Sequence, residues 1–381
     1  MGAIMRNAER LGLHRDGTIF KLSPYEVERR RRLWWQLQHL DIALAVRAGS
    51  ISLTLSARWD TKLPLNIEDE DITPNMTTPP AERQGLTSRS YCLWTFWVLQ
   101  MQRSFRYTDG TYLGFGWIAE RSLSREEKDV YINRLETGLN QQYVQYCDPI
   151  KPLDVLIQIT ARAFVCGMRR VSMYGDLSQM SEVSRRQLLD VCMQGVEYDI
   201  ALHATPAIKH FRPLFRGYFQ WNALAYMLLE ARRLAHDPIA TRIWTLLAEL
   251  YTSNPGLSRN LVDRRKSYAI ELVSAAWKAR AGLLHQQQQD RGASHAIKKP
   301  AFLVDLEKTL AVFNESIKTD SSGKRKLDNT EDSHAGMSKK HAVMPGEGLP
   351  SDGMDLNQLD LDLMNDFNFD AIDWSFWEMA Q

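Results

Sequence analysis

Along residues 1–285 the apolar positions recur at steps of three and four and almost nowhere at steps of two, the period of helix faces rather than of strands. The first stripe is Ile4, Met5, Ala8 and Leu11, followed by Gly12, a residue that can take the left-handed conformation at a helix C-terminus. Ser23-Pro24-Tyr25-Glu26 then supplies a capping hydroxyl, a proline at the first helical position and a glutamate at the third, the capping-box arrangement. Beyond it Leu33, Leu37, Leu40 and Leu44 make one stripe, which Trp34 and Trp35 widen before Gly49. So much apolar surface predicts a central helix whose two tryptophans belong to the core.

The stretch LPLNIEDEDITPNMTTPP breaks the pattern, which resumes with Tyr91, Trp94, Val98, Met101 and Phe105. Leu93, Phe96 and Trp97 make that helix apolar on most faces, so it is predicted to be buried. A second capping box, Ser124-Arg125-Glu126-Glu127, opens a helix carried by Tyr131, Leu135, Leu139, Tyr143 and Tyr146 and closed near Asp148-Pro149. Further helices are predicted over 153–173, 181–202, 219–234, 239–251 and 261–284. The expected fold is all-α: a large multi-helix domain over 1–285, a disordered linker over 286–345 and a terminal segment over 346–381, where composition turns polar and low in complexity.

Composition narrows the chemistry. A net charge of +1 points to no nucleic acid, membrane or acidic ligand for the chain as a whole. Cys92, Cys147, Cys166 and Cys192 lie far apart, without the paired spacing of a zinc site, and are read as reduced core thiols. No signal-peptide pattern opens the chain and no apolar run approaches the roughly 20 residues of a membrane span, so a soluble intracellular protein without a membrane partner is expected. HxxxH, GxSxG, GxGxxG and phosphate-loop patterns are absent. His39 and Asp41, two apart on one helix, face different directions and make a poor dyad. No enzyme is expected, and no catalytic, cofactor-binding or metal-ligating residue is assigned. Arg29 to Arg32 point around their helix about 100° apart, so they are read as partners of carboxylates such as Asp41 or those of Glu68 to Asp71, and as covers for aromatic faces, rather than as one basic stripe.

ERLGLHRDG, then EVERRRRLWWQLQHLDIALAVRAG, then LPLNIEDEDITP resemble, in order and over about 75 residues, the middle homology region of fungal zinc-cluster transcription factors. Weaker collinear echoes follow in YCDPIKPLDVLIQITARAFVCGMRR, in YFQWNALAYMLLEARR and around Trp277. The resemblance implies an all-helical domain that regulates an attached binuclear zinc cluster, with homodimers and metabolite responses among its members. It singles out Arg31, Arg32, Trp34, Trp35, Asp41 and Gly49 as structural motif positions. The family's zinc module, six cysteines in a short basic segment, precedes this region, and the sequence opens inside the homology. The resemblance therefore implies that the start of the domain and the zinc lie outside it, with DNA reached only through a missing module or a partner.

Lys324-Arg325-Lys326 and Lys339-Lys340 are two basic clusters in a polar stretch, spaced as in a bipartite nuclear import signal that an import carrier reads. Residues 351–381 hold seven Asp, one Glu and no Lys or Arg, with Leu, Phe and Trp threaded among the acids. Phe367, Phe369, Ile372, Trp374, Phe376 and Trp377 give such a segment an apolar surface able to enter a coactivator groove. The expected function is a nuclear regulator of RNA polymerase II transcription, of metabolic or secondary-metabolite genes. The alternative is a helical interaction or ligand-sensing scaffold without transcriptional output.

Overall fold

The computed structural model describes residues 1–47, 59–105, 117–118, 122–173, 180–215, 219–234, 236–262, 264–290 and 298–324. Among the described residues, eleven α-helices run in chain order: α1 Gly2–Arg10, α2 Pro24–Arg47, α3 Ser90–Ser104, α4 Arg125–Gln142, α5 Pro152–Met173, α6 Glu182–Ala204, α7 Arg212–Phe215, α8 Trp221–Arg233, α9 Pro238–Ser253, α10 Arg264–Asp290 and α11 Ala301–Lys324. No strand occurs among the described residues, and the fold is all-α. The chain divides into two compact units, Met1–Met227 with Thr245–Asn254, and Leu228–Trp244 with the described residues from Pro255 onward.

The caps fall where the sequence places them. Ser124 accepts from the Glu127 amide at 3.2 Å while the Glu127 carboxylate takes the Ser124 amide at 2.8 Å, so two otherwise orphaned donors of α4 are satisfied reciprocally. Ser23 accepts from the Glu26 amide at 3.3 Å at the start of α2. Gly12, with φ +69°, ends the turn after α1, a conformation that would strain a residue with a Cβ.

In the first unit α3 is buried on most faces, through Tyr91, Leu93, Trp94, Phe96, Trp97, Val98 and Leu99. It packs against α2, α4 and α5. Trp59 stands edge-on to both Trp34 and Trp35, with centroids 5.7 and 5.2 Å apart, and Arg103 lies over its ring. Trp34 and Trp35 are fully buried, as expected. The leucine stripe is not the buried face of α2: Leu33 and Leu44 are exposed, and the helix turns Val27, Arg31, Trp34, Trp35, Gln38, His39 and Ile42 inward. The two tryptophans outweigh the leucines because each removes far more apolar surface from water.

The second unit differs from expectation in one element. Residues 301–324, inside the stretch read as linker, form α11, with Leu303 and Leu306 buried and α10 as its packing partner. Trp244 and Trp277 meet edge to face at 5.0 Å in the same unit.

Candidate functional site

The loop after α1 is held to α2 by a buried ion pair. Arg31 gives Asp16 two parallel hydrogen bonds, at 2.8 and 3.0 Å; Asp16 also accepts from Thr18 and from the Lys62 amide. Burial opposes ionisation of Asp16, but these hydrogen bonds together outweigh it and hold its carboxyl well below the usual range. Thr61 donates to the Leu13 carbonyl and Trp35 to that of Lys62, so residues 59–67 are laid along α2. Asn66 in turn donates to the Arg83 and Gly85 carbonyls, and Arg83 grips Asp71 through two bonds. That acidic stretch thereby fixes the start of α3.

Between α2, residues 64–65 and α3 lies a cleft of about 570 Å³, within the size range of small-molecule sites. From α2 it takes Glu26, Arg29, Arg30, Arg32, Leu33 and Gln36; from α3, Cys92, Leu93 and Phe96; and it is completed by Leu13, Pro64, Leu65 and Arg89. The spacing of Glu26, Arg29, Arg30, Leu33 and Gln36 puts them on one helix face, which explains why Leu33 is exposed. Three of the four consecutive arginines therefore do share a surface, contrary to the sequence-based expectation, because their long side chains converge on it from neighbouring angles.

The arginines are paired unequally. Arg29 bonds Glu26 and lies over the Tyr25 ring. Arg32 bonds Glu28 and Asp69, both at 2.8–2.9 Å, and Arg89 clasps the same Asp69 through both its oxygens. The Arg89 hydrogen bonds, aided by Arg32 and opposed by partial burial, hold the Asp69 carboxyl below its ordinary value. Asp69 is thus the partner expected within the Glu68–Asp71 stretch, while Arg31 takes Asp16 rather than Asp41. Among the described residues Arg30 reaches only the carbonyl of Leu11. Arg30 Nε and Arg32 Nη2 are both shielded from solvent and have no hydrogen-bond partner among the described residues. Burial raises the Cys92 thiol, with Arg89 and Arg32 pulling the other way; it stays protonated and is a poor nucleophile.

A second groove, of about 550 Å³, runs beside α4, α5 and α6 past Arg162, Arg169, Gln194 and Tyr198. Its Arg169 is already engaged by Glu136 and Asn133.

Of the residues singled out in sequence, Arg31, Arg32, Trp34, Trp35 and Asp41 lie together on α2, and Lys324 closes α11. Gly49, Arg325, Lys326, Lys339, Lys340, Phe367, Phe369, Ile372, Trp374, Phe376 and Trp377 lie outside the described residues. Arg89, Cys92, Leu65 and Phe96 went unremarked as site residues; the signal that could have found the cleft is the mixed Arg-Leu-Gln face of α2. Among the described residues no three His, Cys, Asp or Glu side chains gather as metal ligands, so the side chains present here do not fit a zinc cluster. No helix among them is long and apolar enough to cross a membrane.

A family model described as the fungal specific transcription factor domain matches residues 1–108, the span that contains every residue of the first cleft. The chain is 25% identical over 287 residues to the transcriptional regulator AacuB of Aspergillus aculeatus, covering 74% of this chain and 38% of that protein. It is 25% identical over 291 residues to the aurofusarin cluster transcription factor aurR2 of Gibberella zeae, covering 73% and 42%. With the C6 finger domain transcription factor hasF of Aspergillus fumigatus it shares 30% identity over 169 residues, 40% of this chain and 22% of that protein. The chain thus spans about two-fifths of the length of the first two relatives. No solved structure matches it. The first 108 residues thus match the fungal specific transcription factor domain, and similarity to fungal transcription regulators runs on through most of the helical region.

Proposed function

We propose that the chain is the regulatory and effector part of a nuclear transcription factor acting on secondary-metabolite genes. The observation that carries this reading is collinear similarity, through nearly three-quarters of the chain, to regulators that include one named for a biosynthetic cluster. The terminal sequence supports it independently. Eight acids, no base and six interleaved bulky apolar side chains from Phe367 to Trp377 make a composition suited to docking in a coactivator groove, and more than solubility alone requires. The two basic clusters, Lys324-Arg325-Lys326 and Lys339-Lys340, would be read by an import carrier. DNA would be reached through a zinc module or a partner, and a homodimer is the assembly the family suggests.

The test is the full chain fused to an unrelated DNA-binding domain, read on a reporter in a fungal host. We expect activation, and a loss of at least fivefold when Phe369, Trp374 and Trp377 all become alanine. A silent reporter with nuclear protein present would leave the scaffold reading in its place. In a fluorescent fusion, Lys324→Ala, Arg325→Ala and Lys326→Ala together should shift the protein toward the cytoplasm.

A further inference from the structure

We propose that the cleft between α2 and α3 binds a small apolar carboxylate. The claim rests on the cleft, not on transcriptional output, so its failure would leave the reading above standing. Three features of the site converge on that ligand class. The floor is apolar, built from Leu13, Leu33, Pro64, Leu65, Leu93 and Phe96, and calls for a hydrophobic body. The wall is cationic: Arg29, Arg32 and Arg89 are matched by Glu26, Glu28 and Asp69, which leaves Arg30 without a carboxylate among the described residues. One uncompensated positive charge selects a monoanion over a dianion or a neutral compound.

The third feature is the placement of Arg30: its guanidinium is held by the Leu11 carbonyl and meets no carboxylate among the described residues. A carboxylate has two oxygens and accepts from guanidinium nitrogens in a planar, charge-assisted geometry. It supplies the counter-charge that Arg30 lacks while its apolar part covers Leu33, which is half exposed on the floor. In the second groove Arg169 already has a carboxylate.

Anthracene-9-carboxylate, titrated into the full chain and followed by its own fluorescence, tests the assignment. We expect saturable binding at one site, at least tenfold weaker for the neutral 9-anthracenemethanol and weaker with rising salt. Leu33→Glu adds a carboxylate at an exposed position without touching an ion pair, and should weaken the probe at least tenfold. Arg30→Gln should weaken it at least fivefold, whereas Arg169→Gln, in the other groove, should not change it. Circular dichroism of each variant checks folding, and Leu33→Glu keeps the test decisive should Arg30→Gln unfold. Absent saturation, equal affinity for acid and alcohol, or indifference to Leu33→Glu would each overturn the proposal. So would binding that emerges only when residues 346–381 are deleted, which would make the chain's own acidic segment the occupant.

Discussion

Two buried residues of the first unit make its stability depend on acid in separable ways. Burial alone pushes His39 down to about 4 from 6.5. Its folded form therefore favours the neutral ring, the unfolded chain binds more protons between those values, and stability falls as pH drops from 6.5 toward 4. At about 1.4 kcal/mol per unit of pKa, the loss reaches roughly 3 kcal/mol. His39→Gln should flatten this limb in urea titrations followed by tryptophan fluorescence at pH 7, 5 and 4; an unchanged slope would remove His39 as its source. Asp16 acts lower down. Its folded carboxyl lies below its ordinary 3.8, so the stability it contributes is complete above that value and is lost only as pH falls beneath it. Asp16→Asn leaves Arg31 buried without a counter-charge and should cost about 3–5 kcal/mol at pH 7. This pair was half legible in sequence: that the arginine run would seek carboxylates follows from its composition, but choosing Asp16 over Asp41 depends on how the loop after α1 folds back across fifteen positions.

At the scale of elements, helix starts were the most readable features, because a cap is a local hydrogen-bonding problem that four residues solve. Ser124→Ala should cost about 1 kcal/mol, measured as a fall in the urea midpoint, with no loss of helical circular dichroism at 25 °C. Faces were less readable. The leucine stripe of α2 matches a core-facing period as well as the Trp34-Gln38-Ile42 side does, and only the neighbours of the folded chain decide which side is covered. Helix α11 carries a regular Leu303, Leu306, Leu310 and Phe313 pattern, but the glutamine run before it and the lysines after it disguised the segment as linker. Close helix contacts were unreadable. A Cβ built on Gly138 of α4 would lie 2.3 Å from the Trp97 ring of α3. Alanine in a helix ordinarily gains about 1 kcal/mol over glycine; here Gly138→Ala must displace a packed indole and should destabilise by roughly 1–3 kcal/mol. The sign of the change is the measurement, and a gain in stability would mean that α3 and α4 can part without cost.

For the whole molecule, the division into two compact units separates what the cleft needs from what the second unit needs. Every residue of the cleft belongs to the first unit, and its fixing contacts, from Asp16 and Arg31 to Asn66 and Arg83, are made there too. The second unit rests on different anchors: the Trp244–Trp277 pair, Arg280 donating to Thr241, and Leu303 and Leu306 of α11 against α10. Removing a buried indole typically costs 3–5 kcal/mol, enough to open a unit held by few such contacts while another keeps its own core. Trp277→Ala is therefore expected to speed amide exchange across 264–290 and 301–324 by more than tenfold and to leave 24–42 and 90–104 as protected as before. A uniform rise across all four segments would mean that the chain unfolds as one cooperative body. Selective exchange, with anthracene-9-carboxylate still bound, would show that the cleft stays formed when the helices leading to the basic clusters have opened.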